Sequence, residues 1–400
     1  MLSFLRRYFR WIAGGFLLTF CSSFGQTYFI AGSVAEWQHK FDLSHGQFGR
    51  LYMLATLASA CCFPFVGRVL DIMSARRAVL IFMPLLALAT VLAGVAATVP
   101  ILVLALFALR LCGQGMMTHI AITTTARSFA AQRGRAMSLV VLGHQGGEIL
   151  LPLTFALIAA SMHFSVGWYA SAVFLICIGV PLTAWAYGSE RDPAGSDPTN
   201  EDAQDMRHWT RAEVLRDPIF YCLLLGVLAP AFIGTTIFYH SDYMTELMDW
   251  PPTLFASSLA VMAVTTVIVA LLFGPLIDRF GSVRLLPVFL VPLTLACIVL
   301  SGAGAPWTLF LAIGFVGVSY GVSSTLLGSL WPEVYGTQHL GAIRSIVVAA
   351  MVLSTAMGPG ITGTLIDAGI ALPQQMSGMA AYCVIATLGL AWSRRALIRR

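Results

Sequence analysis

Charge is what this chain has least of. Only 10% of its 400 residues are Asp, Glu, Lys or Arg, while 58% are hydrophobic, and such a chain cannot hide its apolar surface in a soluble core of ordinary proportions. It belongs in a bilayer. It also lacks any G-x-x-x-x-G-K-[ST] sequence, so nothing cradles nucleoside phosphates and no cofactor is implied. His39 and His45 fall in an outer loop with no Cys partner, which leaves neither a metal cluster nor a nucleophile constellation to support an enzyme. The cysteines, Cys21, Cys61, Cys62, Cys112, Cys177, Cys222, Cys297 and Cys383, all lie inside apolar stretches. That placement excludes the disulfide framework of a small secreted protein and makes them packing residues.

What the chain has is length of apolar sequence. A spanning helix needs roughly 20 apolar residues, and twelve such stretches occur, at 11–34, 48–70, 78–98, 100–122, 136–160, 166–187, 218–240, 255–277, 285–303, 306–330, 342–366 and 376–393. The basic residues before the first stretch are reminiscent of a secretion signal, but the run from Trp11 to Val34 is too long for one and predicts a spanning helix. Basic residues near span ends favour the cytoplasmic side. With the N-terminus inside, twenty of the 23 basic residues fall inside, only Lys40 and Arg50 fall outside, and Arg110 lies within a span. The expectation is an integral protein of the cytoplasmic (inner) membrane with both termini inside. The net charge of +5 then reflects topology, and nucleic-acid binding has no support.

The spans are duplicated. Gly67, Asp71, Ser138 and Pro152 recur 207 positions later as Gly274, Asp278, Ser345 and Pro359, with Phe48 and Phe255 at the same offset. GRVLD answers GPLID, and GRAMSLVV answers GAIRSIVV. The domain expectation is a six-helix bundle over 1–188, a polar linker over 189–217 and a second six-helix bundle over 218–400. The linker's first part is too polar to bury and is expected to be poorly ordered; 209–216 has the pattern of a short amphipathic helix.

Twelve spans, a 6+6 duplication and Gly-x-x-x-Asp after spans two and eight together resemble the major facilitator superfamily of secondary transporters. The resemblance covers nearly the whole chain and implies an all-α membrane fold of two pseudo-symmetric six-helix bundles. In that family the loop after span two reads roughly G-x-x-x-D-R-x-G-R-R; here it is GRVLDIMSARR, departing at Ile72 and Ser74 but keeping Arg76 and Arg77. The second copy, GPLIDRFGSVR, keeps Arg279 and Gly281. A Gly four residues before an Asp lets two helices approach closely, and the Asp can meet a helix N-terminus. The resemblance places Asp71 near Arg344 at the start of span eleven and Asp278 near Arg135 at the start of span five. Gly67, Asp71, Arg76, Arg77, Arg135, Gly274, Asp278, Arg279 and Arg344 are therefore the expected gating residues, against the plainer reading that these loops only terminate helices.

Two strong charges lie deep in the spans: Arg110 in the fourth and Glu148 in the fifth. A charge there costs several kcal/mol unless paired or hydrated, and such residues usually line a pathway. His144 shares a helical face with Glu148 four residues on, and His119 lies farther along span four. Three readings stay open for Arg110: it binds an anionic substrate directly, it stays paired to Glu148 while substrate binds elsewhere, or the two form a permanent structural bridge. Gln26, Tyr28, Thr235, Thr236, Tyr239, Tyr320, Ser323 and Ser324 are further cavity candidates, weaker because hydroxyls also stabilise helix packing in lipid.

The expected activity is gradient-driven secondary transport by alternating access. Arg and Glu in the first half suit a small organic anion moving with protons, and monocarboxylate-type carriers are the nearest resemblance. The expected partners are a small-molecule substrate, protons and the lipid bilayer, with one chain as the functional unit. The competing function is a proton-coupled drug or metabolite exporter, although span five reads GHQGGEILLP where family exporters carry a GP-containing motif, and GPG falls in span eleven at 358–360. A non-transporting receptor on the same scaffold is the remaining alternative.

Overall fold

The computed structural model describes residues 2–43, 45–188 and 207–398. The segment 189–206, expected to be poorly ordered, lies outside them. A first helix, α1, runs Leu2–Ser22. Eleven further helices, the ones among the described residues long and apolar enough to cross a membrane, follow as α2 (Gln47–Asp71), α3 (Ala75–Val95), α4 (Val99–Ser128), α5 (Arg133–Ala159), α6 (Phe164–Ala186), α7 (Pro218–Tyr239), α8 (Ser257–Phe280), α9 (Ser282–Ser301), α10 (Trp307–Tyr335), α11 (Leu340–Asp367) and α12 (Leu372–Ile398). Their positions follow the apolar stretches, because a helix alone satisfies every backbone group within the segment that crosses the hydrocarbon. Leu88, Leu157, Ile385 and Leu388 are exposed, as faces that meet lipid should be.

The first stretch differs from expectation. It does not form one helix over 11–34: α1 begins at Leu2, and a 3-10 turn at Ser23–Gly25 separates it from a short helix at Thr27–Ala31. Gln26 between them is extended. The Ser22 hydroxyl turns back to donate to the Thr19 carbonyl, and Gly25 sits so close to α4 that a Cβ there would stand 2.1 Å from the Leu109 carbonyl oxygen. The basic leader is helical too, with Phe4 and Tyr8 buried against Phe129 while Arg6 and Arg7 face outward.

By contact the chain forms two compact units. The first comprises Met1–Ala131, Leu139–Met206 and Thr337–Ala349; the second comprises Gln132–Ser138, Arg207–Gly336 and Ala350–Arg400. Helices α5 and α11 thus each give their first turns to one unit and their remainder to the other.

Small residues bring backbones together in both units, as expected where packing rather than water drives association. In the first, Gly143 and Gly147 of α5 lie on α1 and the turn that follows it, where added Cβ atoms would stand 2.0 Å from the Phe16 oxygen and 2.1 Å from the Ser23 hydroxyl. Trp37 stacks on Trp168 with centroids 5.5 Å apart, and the Trp168 indole donates to Ser33. In the second, Gly317 and Gly321 of α10 press against α8, and Thr266 donates to the Gly317 carbonyl. The last part of the linker is ordered on this unit. Thr210 and Glu213 cap the single turn Arg211–Val214 reciprocally, which is the expected amphipathic helix in its shortest form. The amide and hydroxyl of Thr210 and the Arg207 guanidinium hold the Glu213 carboxyl down at about 2, so the cap is charged above the ordinary carboxylate range and is lost only as pH falls through that value. Asp217 then accepts from the Ile219 amide and the Tyr335 hydroxyl, seating α7 on α10.

The break in the first span depends on the Gly25 contact. Gly25→Val should lower the melting temperature, at a cost of about 1–3 kcal/mol for overpacking, whereas Gly389→Ala, with nothing within 4 Å of the new Cβ, should melt no lower than wild type. Equal melting of the two variants in a detergent thermal-shift assay would remove the close approach as the cause of the break.

Candidate functional site

Arg110 sits where α4 departs from α-geometry. Leu109–Met117 is π-helical, an arrangement frequent at functional sites because it re-aims side chains within an otherwise regular helix. Gly113 in this segment interlocks with Gly25: a Cβ on Gly113 would stand 2.7 Å from the Gly25 Cα. The contact brings the break in the first span beside Arg110, whose Nη1 donates to the Gly25 carbonyl at 3.3 Å and to the Thr27 hydroxyl at 3.2 Å. The guanidinium lies 5.4 Å from the Tyr52 ring centroid, within cation–π range, and Tyr52 and Thr27 share a hydrogen bond of 2.9 Å. Arg110 is 4% exposed, and its Nε has no partner.

Glu148 is not that partner. Among the described residues the ion pairs are Arg127–Asp71, Arg135–Asp278 and Arg207–Glu213, so the permanent bridge between Arg110 and Glu148 is not formed. Tyr28 and His144 form a second polar group beside the break. Tyr28 donates to Ser23 at 2.7 Å and packs edge-on to His144 with centroids 5.9 Å apart, and Glu148 follows His144 by four residues on α5. Of two adjacent residues at the break, Thr27 thus meets Arg110 and Tyr28 meets Ser23 and His144. Gln26 supplies the extended backbone between α1 and the short helix.

The second-half candidates are arranged differently. Thr235, Ser323 and Ser324 donate to carbonyls of their own helices, as hydroxyls in apolar helices commonly do. Thr236 is buried with an unpartnered hydroxyl close to Gly358 of α11. Tyr320 lies over Gly234, and Tyr239 is exposed beside His240. His240 meets Thr362 at 3.0 Å. No ionisable pair comparable to Arg110 and Glu148 is assembled by these six residues.

Two carboxylates at helix starts form the other candidate feature. In the first unit Asp71 accepts from the amides of Gly341 and Ala342, both at 2.8 Å. Gly67 lies against Ser345, and His119 meets the Gly67 carbonyl at 3.0 Å. In the second unit Asp278 accepts from the amides of Gly134 at 2.7 Å and Arg135 at 3.2 Å, with Gly274 against Ser138. Each is an anion on the positive end of a helix, where unpaired amides converge. Arg135 pairs with Asp278 at 3.4 Å. The cation on Asp71, however, is Arg127 rather than the expected Arg344. Arg127 extends from the end of α4 and also donates to the carbonyls of Thr337 and Gln338. Arg344, a turn into α11 and buried, donates to Thr123 one turn before Arg127. Arg76, Arg77 and Arg279 are exposed and make no ion pair among the described residues. Glu333 has no counterpart in the first unit; it caps α9 by accepting from Ser282 and Val283.

The Major Facilitator Superfamily model matches residues 15–359 and 235–396. The chain belongs to the Major Facilitator Superfamily. Solved members share its fold: the human organic anion transporter MFSD10 (TETRAN) superposes with a TM-score of 0.72 at 14% identity, covering 96% of this chain and 99% of that one. The proton:xylose symporter XylE gives 0.71 at 13% identity, covering 95% and 94%, and FucP in its outward conformation 0.72 at 13% identity, covering 96% and 98%. No match is found among curated protein sequences. Membership makes this an integral membrane protein and a secondary transporter rather than an enzyme. Its Asp71 loop carries Ile72 and Ser74, and the cation on Asp71 comes from α4.

Sequence reasoning passed over Arg127, Thr27, Tyr52 and the Gly25–Gly113 contact. Arg127 was visible only as one more inside charge, and Thr27 and Tyr52 carry no pattern that points to α4. A double-mutant cycle separates the two arginines. Asp71→Asn with Arg127→Gln should show a coupling of about 1–3 kcal/mol in thermal unfolding, as groups in direct contact do, and Asp71→Asn with Arg344→Gln should be additive within about 0.5 kcal/mol. The reverse order would return Asp71 to Arg344.

Proposed function

We propose that this transporter moves a small organic anion together with protons across the cytoplasmic membrane, with both termini inside and a single chain as the working unit. The observation that carries the reading is Arg110: a guanidinium 4% exposed in a spanning helix, held by a carbonyl, a hydroxyl and a ring, with no carboxylate in ion-pair contact among the described residues. A cation so placed is costly unless it is compensated, and an anionic substrate supplies the compensation. Arg110 then orients the carboxylate, with Thr27 and Tyr52 fixing the guanidinium. Glu148 and His144 are the proton-carrying groups, because a carboxylate that is not neutralised by an arginine is free to change protonation as substrate comes and goes. MFSD10 is an organic anion transporter, which supports the choice of cargo, and XylE is a proton:xylose symporter, which supports the choice of coupling alone.

Alternating access then involves the two helix-start clasps. Asp71 on Gly341 and Ala342, and Asp278 on Gly134 and Arg135, are multiple short contacts that a moving helix end breaks and re-forms together, which makes them gates of the two-state kind.

The test uses liposomes loaded with a pH-sensitive dye. Adding small carboxylates outside should acidify the lumen for wild type, and the response should fall to the level of empty liposomes for Arg110→Ala and Glu148→Gln. A response to no carboxylate, or one unchanged in both variants, would sink the anion assignment and favour an exporter's substrates.

A further inference from the structure

Beside the start of α3 lies a cavity of about 360 Å³ lined by Ser74, Arg76, Arg77, Leu80, Tyr187 and Gly188. It is remote in chemistry from the Arg110 site, and neither arginine lining it has a carboxylate partner among the described residues. A third arginine borders it. Arg10 of α1 comes within 3.1 Å of the position a Cβ on Gly188 would take, donates through Nε to the Trp185 carbonyl at 3.0 Å, and stacks on the Trp185 ring at 5.0 Å. Tyr187 contributes a side chain only 5% exposed, whose hydroxyl has no hydrogen-bond partner. Its ring is held against Gly14 of α1, where a Cβ would stand 3.3 Å away. The Ser74 hydroxyl accepts from the Arg77 amide, which leaves its own proton to donate at the positive end of α3. Among the described residues no carboxylate lines the cavity.

The apolar surroundings say which anion fits. Leu80 and Ile81 on α3 and Trp185 on α6 are each about half exposed, forming a wall that continues from the basic pocket along the spanning helices. Arginines at the head and exposed aliphatic and indole groups below match an amphiphile whose phosphate takes bidentate guanidinium contacts and whose chains lie along the helices. Basic residues at a membrane surface attract anionic lipid, and indoles favour the interface. We propose that the middle of α1, the start of α3 and the end of α6 form a binding site for the phosphate of an anionic phospholipid, on the membrane side proposed above to be cytoplasmic.

Thermal unfolding in a neutral maltoside detergent tests the site, with dioctanoyl phosphatidylglycerol, dioctanoyl phosphatidylcholine and inorganic phosphate as probes. Phosphatidylglycerol should raise the melting temperature of wild type, while the other two should not. The concentration giving half the shift should rise roughly thirtyfold in Arg76→Gln/Arg77→Gln, following a contribution of about 1 kcal/mol per basic residue, and stay unchanged in Arg394→Gln/Arg395→Gln. An equal response in the Arg76/Arg77 variant, or an equal loss in the Arg394/Arg395 variant, would overturn the site. A shift by inorganic phosphate matching that by phosphatidylglycerol would overturn the lipid in favour of a soluble anion. Should the Arg76/Arg77 variant not fold, native mass spectrometry decides with Arg10→Gln: phosphatidylglycerol retained by wild type and lost from the variant supports the site, and equal retention refutes it.

Discussion

A carboxylate held by the first amides of a helix is the interaction on which the organisation of this transporter depends. It occurs twice, as Asp71 on Gly341 and Ala342 and as Asp278 on Gly134 and Arg135. A helix start has unpaired amides and a partial positive charge, so one carboxylate satisfies two donors at once. Each Asp is able to reach because the glycine four residues earlier has no side chain in the way: a Cβ on Gly67 or Gly274 would stand 2.6 or 2.7 Å from the neighbouring helix. The consequence is visible in the division of the molecule, where the first turns of α5 and α11 belong with one compact unit and the rest of each helix with the other.

The two clasps are equivalent in their amides and different in their cations. Arg135 answers Asp278 from the same helix start that supplies the amides. Asp71 receives Arg127 from α4, and the same guanidinium also holds the Thr337 and Gln338 carbonyls. The position 207 residues after Arg127 is Val334, so this clamp has no copy. In the second unit the neighbouring Glu333 caps α9 instead. Duplication preserved the helix-start geometry, which needs only glycine, carboxylate and backbone, and left the side-chain charges around it free to diverge.

The same asymmetry holds at the ionisable site. Arg110 and Glu148 both lie in the first unit, whereas the hydroxyls of Thr235, Ser323 and Ser324 in the second turn back on their own helices. The break itself follows from two glycines. Gly25 and Gly113 approach more closely than any side chain would allow, and that contact sets the Gly25 carbonyl and the Thr27 hydroxyl within reach of Arg110. Arg110 is thereby held with no carboxylate in ion-pair contact among the described residues.

Composition and repetition alone determined that this chain crosses a membrane about twelve times and that its halves are related. Those properties are local: apolar length is read residue by residue, and a repeat needs only a constant offset. The pairing of Asp278 with Arg135 was legible for the same reason, since a carboxylate and a helix start at duplicated positions imply each other. Tertiary structure alone decided that the first span breaks at Ser23–Gly25, that Asp71 takes Arg127 rather than Arg344, and that Arg110 and Glu148 form no ion pair. Each of those outcomes turns on how closely two backbones approach. That distance is set by which glycines meet across helices far apart in sequence, and no spacing along the chain records it.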